Sequence, residues 1–340
     1  MTKRPTIKDK RPTINDVARY AGVSKSTVSL VLNNSPLIKK TTTALVLESM
    51  QALNYVYNRT AANLRGSKRL IGLVINDLRN PFFTEFAIHA QMIFARYGYS
   101  MIIANTDEDN KIQSQVVRDI TEHDIAALII SPSYGDSLGI CDYILASKTP
   151  TLQVIRSFNE PSPIPLHSME FESGGELATE HLIAKGVRNI AYVGGIKGHP
   201  VSEERISGYL KVMTKNALNP IIFHGQPTRA FGVDIAHSII KDKRKIEAAV
   251  CFNDLTGFGM LSGLSQEGIS IGKDFLLVGF DDVEECRQVF PQLSSVKCDL
   301  KKFAEQVAIT IINLLNNDVP PPDEFRQPVK LVARQSSRGA

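Results

Sequence analysis

The most constraining feature of the sequence is the stretch Thr13–Asn33, TINDVARYAGVSKSTVSLVLN. Its apolar residues recur at helical spacing on both sides of Gly22, whose backbone permits a sharp turn. Thr13 and Ser24 precede the two apolar patterns and are suited to cap them, and Asp16 completes a capping box with Thr13. The pattern therefore predicts two short helices joined by a tight turn, the shape that places a helix in the DNA major groove.

The second of these helices is the expected recognition helix. Val28, Val31 and Leu32 form its inward face, so the residues near its N-terminus are left to point outward. A plain helical hairpin inside a larger helical domain would have the same periodicity, but the basic residues around this one favour DNA binding. The residues of this segment that we expect to contact DNA are Thr13, Ser24, Lys25, Ser26, Thr27, Ser29, Leu30 and Asn33.

Charge divides the chain into two unequal parts. Residues 1–69 carry 13 Lys and Arg side chains against three acidic ones, whereas the whole chain has a net charge of only +4. A basic head on an acidic body favours nucleic acid as the partner, because phosphate contacts supply most non-specific affinity. The basic run before Thr13 is by itself more typical of a solvated segment, and we assign residues 1–12 to an N-terminal arm.

The composition excludes several protein classes. No apolar run has membrane-spanning length and no signal-peptide pattern is present, so we expect a cytoplasmic, nucleoid-associated protein without membrane contact. The cysteines lack C-x-x-C or Cys/His metal spacing, which predicts free buried thiols and no metal site. These cysteines are Cys141, Cys251, Cys286 and Cys298.

From Leu70 onward, strand-like apolar runs alternate with amphipathic helical stretches. Repeated βα units favour parallel sheets with helices on both faces, and the length suits two lobes. The proline-containing runs 159–165 and 290–295 are typical of crossovers between such lobes. We therefore predict a small all-α helix-turn-helix headpiece and an α/β core of two parallel-sheet lobes. The expected bounds are 13–57 for the headpiece, 58–68 for a hinge helix or linker, 69–162 with 293–326 for the N-lobe, and 163–292 with 327–340 for the C-lobe.

Polar residues stand immediately after four of the predicted strands. These are Asn76, Ser131, Asn253 and Asp281. Ligands of open α/β sheets bind beyond the carboxyl ends of the strands, so we expect the four side chains to meet in one cleft between the lobes. Asn253 could instead cap the following helix and Asp281 could lie in a solvated turn, but their joint placement favours a ligand site. Ser131 is the weakest candidate of the four.

Catalytic signatures are missing from the sequence. It has neither G-x-x-x-x-G-K-[ST] nor H-E-x-x-H, and the glycine-rich run 194–198 lacks the spacing of a phosphate-binding loop. No nucleophile–base pair stands out, and His181 and His199 have no metal-ligand spacing. We therefore expect no catalytic residue, no cofactor and no enzymatic activity.

Two motifs of the chain resemble the LacI/GalR family of bacterial transcriptional repressors. The pattern T-I-x-D-V-A-x-x-A-G-V-S-x-x-T-V-S resembles the family headpiece, and Ser24–Leu32 also resembles a MalI-like sub-family. The phrases at 71–83, 251–254 and 278–282 resemble the family core, which is shaped like a type I periplasmic binding protein. Lys39 occupies the usual cap position of a third headpiece helix but cannot cap through a side-chain oxygen, which predicts a late start near Thr41.

The resemblance implies how DNA is bound. Residues 58–66 match the family hinge, which folds when two copies meet on DNA, so Asn58, Ala61 and Leu64 would contact DNA and Leu64 would enter the minor groove. A simple linker ending at Gly66 is the alternative. A homodimer on a palindromic double-stranded operator is expected, because two recognition helices must meet two half-sites.

The resemblance also implies a regulated repressor. It identifies Arg205 as an effector-binding residue beside Asn76, Asn253 and Asp281, a set that suits a polar, sugar-like ligand. Ile155-Arg156 stands where many sugar-responsive relatives have Asp-Arg, so the effector is open between an unusual sugar, a non-sugar compound and none. Two alternatives are less consistent with the sequence. An enzyme fused to a DNA-binding head would need a phosphate loop or a catalytic base, and neither is found. A pure sugar-binding protein would carry a signal peptide and no basic head, and the sequence shows the reverse.

Overall fold

The computed structural model describes residues 12–32, 35–55, 69–134, 139–158, 162–316 and 321–338. The chain forms two compact units, residues 1–67 and 68–340. The division falls within one residue of the predicted end of the hinge segment. No helix within the described ranges is long and apolar enough to cross a membrane.

The first unit contains a small helical head. Its helices are α1 (Ile14–Tyr20), α2 (Lys25–Leu32) and α3 (Lys40–Ala52). The three helices bury a shared apolar cluster to which Val17, Val28 and Val46 contribute fully buried side chains. A head of this size has a small core, so the caps at its helix ends contribute a large share of its stability.

The helix starts of the head follow the sequence signals. Thr13 and Asp16 form the predicted capping box, and the Ser24 hydroxyl accepts from the Thr27 N–H at 3.1 Å. Gly22 adopts a left-handed φ of +66° in the turn between α1 and α2. Lys39 is the N-cap residue of α3 and makes no side-chain capping bond, as predicted, but the expected late start near Thr41 is wrong, because the helix begins at Lys40.

The second unit holds two six-stranded sheets. The N-lobe sheet has the order β11-β5-β4-β3-β1-β2 and is parallel throughout. Its elements in chain order are β1 (Leu70–Ile75), α4 (Pro81–Arg96), β2 (Ser100–Asn105), α5 (Asn110–Glu122), β3 (Ala127–Ile130), α6 (Ile140–Ser147), β4 (Thr151–Val154), β5 (Leu166–Met169), α11 (Leu300–Asn316) and β11 (Glu324–Gln327).

The C-lobe sheet repeats this arrangement. Its order is β12-β10-β9-β8-β6-β7, and only the edge strand β12 is antiparallel to its neighbour. Its elements are α7 (Phe171–Ala184), β6 (Ile190–Val193), α8 (Pro200–Lys215), β7 (Ile221–Phe223), α9 (Arg229–Ile240), β8 (Ala248–Cys251), α10 (Asp254–Gln266), β9 (Leu276–Asp281), a 3-10 turn (Glu284–Arg287), β10 (Ser294–Lys297), β12 (Lys330–Val332) and α12 (Gln335–Arg338).

Two of the predicted lobe boundaries need correction. β5 pairs with β4 in the N-lobe and β10 pairs with β9 in the C-lobe, so the first two crossovers follow these strands. The sequence predicts them earlier, at 162/163 and 292/293, because proline-containing runs are typical of crossovers. Residues 162–165 precede β5 within the N-lobe, and residues 290–293 precede β10 within the C-lobe. The third boundary, at 326/327, falls at the end of β11, and the chain then passes to β12 in the other sheet.

Close helix contact fixes α8, the helix that carries Arg205. A Cβ added to Gly175 of α7 would come within 2.2 Å of the Arg205 carbonyl oxygen. A Cβ on Gly208 of α8 would come within 2.0 Å of the Glu172 carbonyl oxygen. Each helix therefore presents a glycine to the other, which lets the two backbones approach and holds the base of Arg205 in place.

Candidate functional site

A cavity of about 350 Å³ lies between the two lobes. Its wall is formed by loops that follow the carboxyl ends of strands in both sheets, as the strand-end argument predicts. Of the five expected effector residues, Arg205, Asn253 and Asp281 line it. The other lining residues include Asp77, Arg79, Asn80, Phe82, Phe83, Asp107, Glu108, Tyr134, Ile155, Arg156, Val201 and Phe252.

Arg205 and Asp281 form a buried ion pair at the C-lobe side of this cavity. Nη2 of Arg205 donates to Oδ1 of Asp281 at 3.3 Å, and Nη1 donates to the Phe252 carbonyl oxygen. The guanidinium also lies 3.8 Å from the Phe280 ring centroid, close enough for a cation–π interaction. Nε is buried and has no partner among the described residues, so Arg205 keeps one donor for a ligand.

Asp281 is held in an unusual state by its surroundings. Burial raises its pKa to about 6, against the opposing effect of Arg205. Its backbone φ is +112°, a region that L residues rarely adopt. Nearby Asp254 is also buried, accepting from the Ser295 hydroxyl at 2.6 Å and from the Val283 N–H at 3.0 Å. Burial raises the pKa of Asp254 to about 8.

Asn253 caps the following helix and also lines the cavity. Its Oδ1 caps α10 by accepting from the Thr256 N–H at 2.9 Å and from the Thr256 hydroxyl at 2.8 Å. Its Nδ2 donates to the Pro227 carbonyl oxygen at 3.2 Å. Since an amide nitrogen carries two hydrogens, one remains for a ligand in the cavity.

Asn76 and Ser131 do not take the places expected of them. Both are fully buried and neither lines the cavity. Nδ2 of Asn76 donates to the carbonyl oxygens of Ser131 and Pro132 at 3.0 Å each, which ties the end of β1 to the end of β3. The expectation of ligand contact is therefore corrected for these two residues, because a side chain at a strand end can turn into the protein as well as out of it.

The N-lobe wall contains an ion pair that the sequence did not single out. Nη2 of Arg156 donates to Oε1 of Glu108 at 2.6 Å, and the Arg156 side chain is only 5% exposed. Arg156 follows β4 and Glu108 follows β2, so the pair joins two separate strand ends. Beside it, Arg79 pairs with Asp77 at 2.8 Å and contacts Asp107.

An aromatic stack crosses from one lobe to the other. The Arg156 guanidinium lies 3.7 Å from the Tyr134 ring centroid, and the other contact of that ring is His199 of the C-lobe. Burial, and then the positive charge of Arg156, lower the pKa of His199, which favours the neutral form of its ring. The stack thus links the N-lobe ion pair to the start of α8, the helix that carries Arg205.

These additional residues follow strands that the sequence did identify. Glu108 comes three residues after β2, Tyr134 four residues after β3 and Arg156 two residues after β4. Extending the strand-end argument beyond the first residue of each loop would have found all three. Nothing in the sequence would have paired His199 with Tyr134, because that contact depends on the placement of the lobes.

In the head, the face of α2 matches the prediction. Lys25, Ser26 and Leu30 are exposed, whereas Val28 and Val31 are buried. The Ser24 hydroxyl lies 2.7 Å from that of Ser26 and 2.8 Å from that of Thr27, so part of the polar face is internally hydrogen-bonded. Four of the expected DNA contacts lie outside the described residues: Asn33, Asn58, Ala61 and Leu64.

Other chemistry is sparse in the described part of the chain. No cluster of three or more His, Cys, Asp or Glu side chains suited to a metal ion occurs there. All four cysteines are buried free thiols, as predicted.

Two family models match the sequence. Residues 13–58 match the model described as bacterial regulatory proteins, lacI family, and residues 179–337 match that of a periplasmic binding protein-like domain. The first match contains α1 to α3 and the second contains most of the C-lobe. Together they reproduce the combination of a headpiece with an α/β core.

Individual proteins resemble the chain over nearly its whole length. It is 28% identical over 334 residues to the ribose operon repressor of Halalkalibacterium halodurans, covering 96% of this chain and 97% of that protein. It is 28% identical over 311 residues to the transcriptional regulator GalR of Escherichia coli, covering 90% of each. The solved structure of the Lac repressor dimer bound to operator and the anti-inducer ONPF has a TM-score of 0.83 at 26% identity, covering 96% of this chain and 99% of that one. The chain thus combines the DNA-binding domain of the lacI family of bacterial regulatory proteins with a periplasmic binding protein-like domain, and its relatives over nearly the whole length are repressors or transcriptional regulators by name.

Proposed function

We propose that this protein is a sequence-specific transcriptional regulator, a repressor that binds a palindromic operator as a homodimer. The observation that carries the proposal is the head: a capped helix-turn-helix presents Lys25, Ser26 and Leu30 on the exposed face of its second helix. Its relatives are regulators by name, and none of the residues described above makes a nucleophile–base arrangement. Acting on operator DNA places the protein in the cytoplasm, at the nucleoid.

The second part of the proposal concerns control. The cavity between the lobes combines three buried charged side chains, Arg156, Arg205 and Asp281, with aromatic side chains, which is the composition of a small-molecule site. We assign it to a small polar effector of the sugar type. Because both lobes contribute to the wall, a bound effector would favour one arrangement of the lobes over others. It can shift the equilibrium between these arrangements only by the difference in its affinity for them. The MalI-like sub-family and the minor-groove role of Leu64 stay predictions.

The DNA-binding part is tested by selection from a random duplex library with the full-length protein. The expected result is enrichment of a two-fold symmetric site with equivalent half-sites. Failure of any sequence to enrich would contradict the proposed function. The enriched duplex then provides the operator for all other measurements.

The role of Lys25 is tested on that operator. We expect Lys25→Ala to lose about 1–3 kcal/mol of binding free energy at one base-pair position and to relax the preference there. Lys40→Ala, at the exposed start of α3, is the matched control and should keep the base preference of the unsubstituted protein. An equal loss for Lys25→Ala on every sequence would mean that Lys25 contacts phosphate alone.

A further inference from the structure

Arg156 has hydrogen-bonding capacity that the described residues do not use. Its Nη2 donates to Glu108, but Nε and Nη1 are buried without any partner among those residues. A buried N–H without an acceptor is costly, and the cost is greater on a charged group. An acceptor that enters the cavity beside Arg156 would therefore be bound more tightly than one offered to a solvated arginine.

Glu108 offers the complementary capacity. Its Oε1 accepts from Arg156, while among the described residues Oε2 accepts only a long bond of 3.4 Å from the Tyr134 N–H. Ile155, the residue before Arg156, supplies no carboxylate, so the acid of this pair comes from the loop after β2. Glu108 and Asp107 both have left-handed φ angles, +60° and +51°, and strained residues of this kind cluster at ligand sites.

The pair is also held rigid. The Arg156 guanidinium stacks on Tyr134, whose carbonyl oxygen accepts from Nδ2 of Asn110 at 2.7 Å and whose ring stacks on His199. The Arg156 guanidinium is held at its edge by the ion pair and on its face by the tyrosine ring. It therefore loses little further conformational entropy when a ligand binds. Such preorganisation favours discrimination between similar ligands.

We propose that the Glu108–Arg156 pair recognises two adjacent hydroxyl groups of an uncharged ligand. One hydroxyl group can accept from Nε or Nη1 of Arg156 while its neighbour donates to Oε2 of Glu108, a combination that neither a carboxylate group nor an alkyl group can provide. This inference rests on the proposed function of the cavity as an effector site, and it assigns the specificity of that site to Glu108, a residue outside the set Asn76, Ser131, Arg205, Asn253 and Asp281.

Charge in the cavity wall supports the uncharged class. Each arginine of the wall has a carboxylate within ion-pair distance: Asp77 for Arg79, Glu108 for Arg156 and Asp281 for Arg205. Asp107 is a further acid of the wall. A phosphate or carboxylate group placed against the free edge of Arg156 would meet Glu108 at once, and like charges at such distances repel.

The test uses the full-length protein and a defined panel of probes. The neutral probes are D-glucose, D-galactose, D-ribose, D-xylose and maltose. Glucose 6-phosphate, ribose 5-phosphate, gluconate and glucuronate are the anionic counterparts. Affinities are measured by titration calorimetry, first for the unsubstituted protein and then for variants with the neutral probe that binds most tightly and its monodeoxy analogues.

The variants are Glu108→Gln and Arg156→Gln, with Glu122→Gln as the matched control. Glu122 ends α5 in the same lobe, is exposed and does not line the cavity. We expect each of the first two variants to weaken the chosen neutral probe by about tenfold or more, the usual worth of a hydrogen bond to a charged group. Glu122→Gln should bind like the unsubstituted protein.

The deoxy analogues separate recognition from a merely structural effect. If Glu108 reads hydroxyl groups, Glu108→Gln should abolish the preference for the intact sugar over one deoxy analogue. A loss of affinity that is equal for the sugar and all analogues would overturn the proposal, as would tighter binding of an anionic counterpart or no binding of any neutral probe. Operator affinity of the same unsubstituted preparation, measured without sugar, tests the proposed function separately, because DNA binding can succeed when this inference fails.

Discussion

The rings of Tyr134 and His199 stack face to face across the boundary between the lobes. Their centroids are 3.7 Å apart and their planes are inclined by 26°. Tyr134 follows β3 of the N-lobe, and His199 is the N-cap residue of α8 in the C-lobe. A separate interlobe contact joins Arg326 of β11 to Glu204 of α8 at 2.5 Å. The N-terminal part of α8 thus contacts the N-lobe at two points.

This stack should be measurable as a coupling energy. We expect a double-mutant cycle of Tyr134→Ala and His199→Ala to give a coupling of about 0.5–1.5 kcal/mol in the free energy of unfolding, the range for aromatic pairs. Urea unfolding followed by circular dichroism provides the four values. In the control cycle, Tyr134→Ala is combined with His224→Ala, a substitution of an exposed histidine in the same lobe. The two changes in the free energy of unfolding should then be additive. Additivity in the first cycle would show that the stack does not hold the lobes together.

The buried pair Arg205–Asp281 leads to a second prediction. Asp281→Asn leaves the Arg205 charge without its counter-ion inside the protein, so we expect a loss of about 3–5 kcal/mol in the free energy of unfolding. Asparagine also tolerates positive φ better than most residues, which keeps the backbone effect small. Asp242→Asn is the control, because the Arg244 side chain that pairs with Asp242 is exposed to solvent and stays hydrated when the carboxylate is removed. Equal, small effects of both variants would contradict the assignment of Asp281 as a buried counter-ion.

The charge of the head predicts the salt dependence of DNA binding. With 13 basic against three acidic side chains in residues 1–69, two heads should neutralise many phosphates. We expect operator affinity to fall by about a thousandfold or more between 50 and 200 mM salt if six or more phosphates are contacted. Fluorescence anisotropy at several salt concentrations gives the slope. A flat response would be incompatible with binding through the basic head.

His167 should make the stability of the N-lobe sensitive to acid. Burial lowers its pKa from 6.5 to about 4, so between these values the folded chain leaves His167 neutral while the unfolded chain protonates it. The free energy of unfolding should therefore fall as pH falls from 6.5 to 4, by up to about 1.4 kcal/mol per pH unit. His167→Gln should remove this part of the slope, and His224→Gln should keep it. Identical pH profiles for the two variants would refute the assignment.

Much of the local structure is encoded in short stretches of sequence. Thr13 with Asp16, Gly22 and Ser24 define the ends of α1 and α2 because capping and left-handed turns depend on residues within three or four positions. The absence of a capping oxygen at Lys39 likewise needed no tertiary information. The alternation of apolar strands with amphipathic helices was sufficient for the two-lobed class, since each βα unit carries its own periodicity.

The strand-end argument worked only in part. It brought Asn253 and Asp281 to the cavity because the carboxyl ends of parallel strands meet at one edge of a sheet. It placed Asn76 and Ser131 there as well, although both turn inward and are buried. Whether the side chain at a strand end faces the cavity or the interior depends on the backbone direction at that residue. The type of residue does not reveal this direction.

Tertiary structure alone decided which sheet each strand joins and which loops meet. Prolines around β5 and β10 look like crossovers in the sequence, but hydrogen bonding to β4 and β9 assigns these strands. Glu108, Tyr134, Arg156 and His199 come from four loops far apart in the chain. Their stacking and pairing depend on the relative placement of two lobes, a property of the packed core as a whole, which no local pattern of residues can specify.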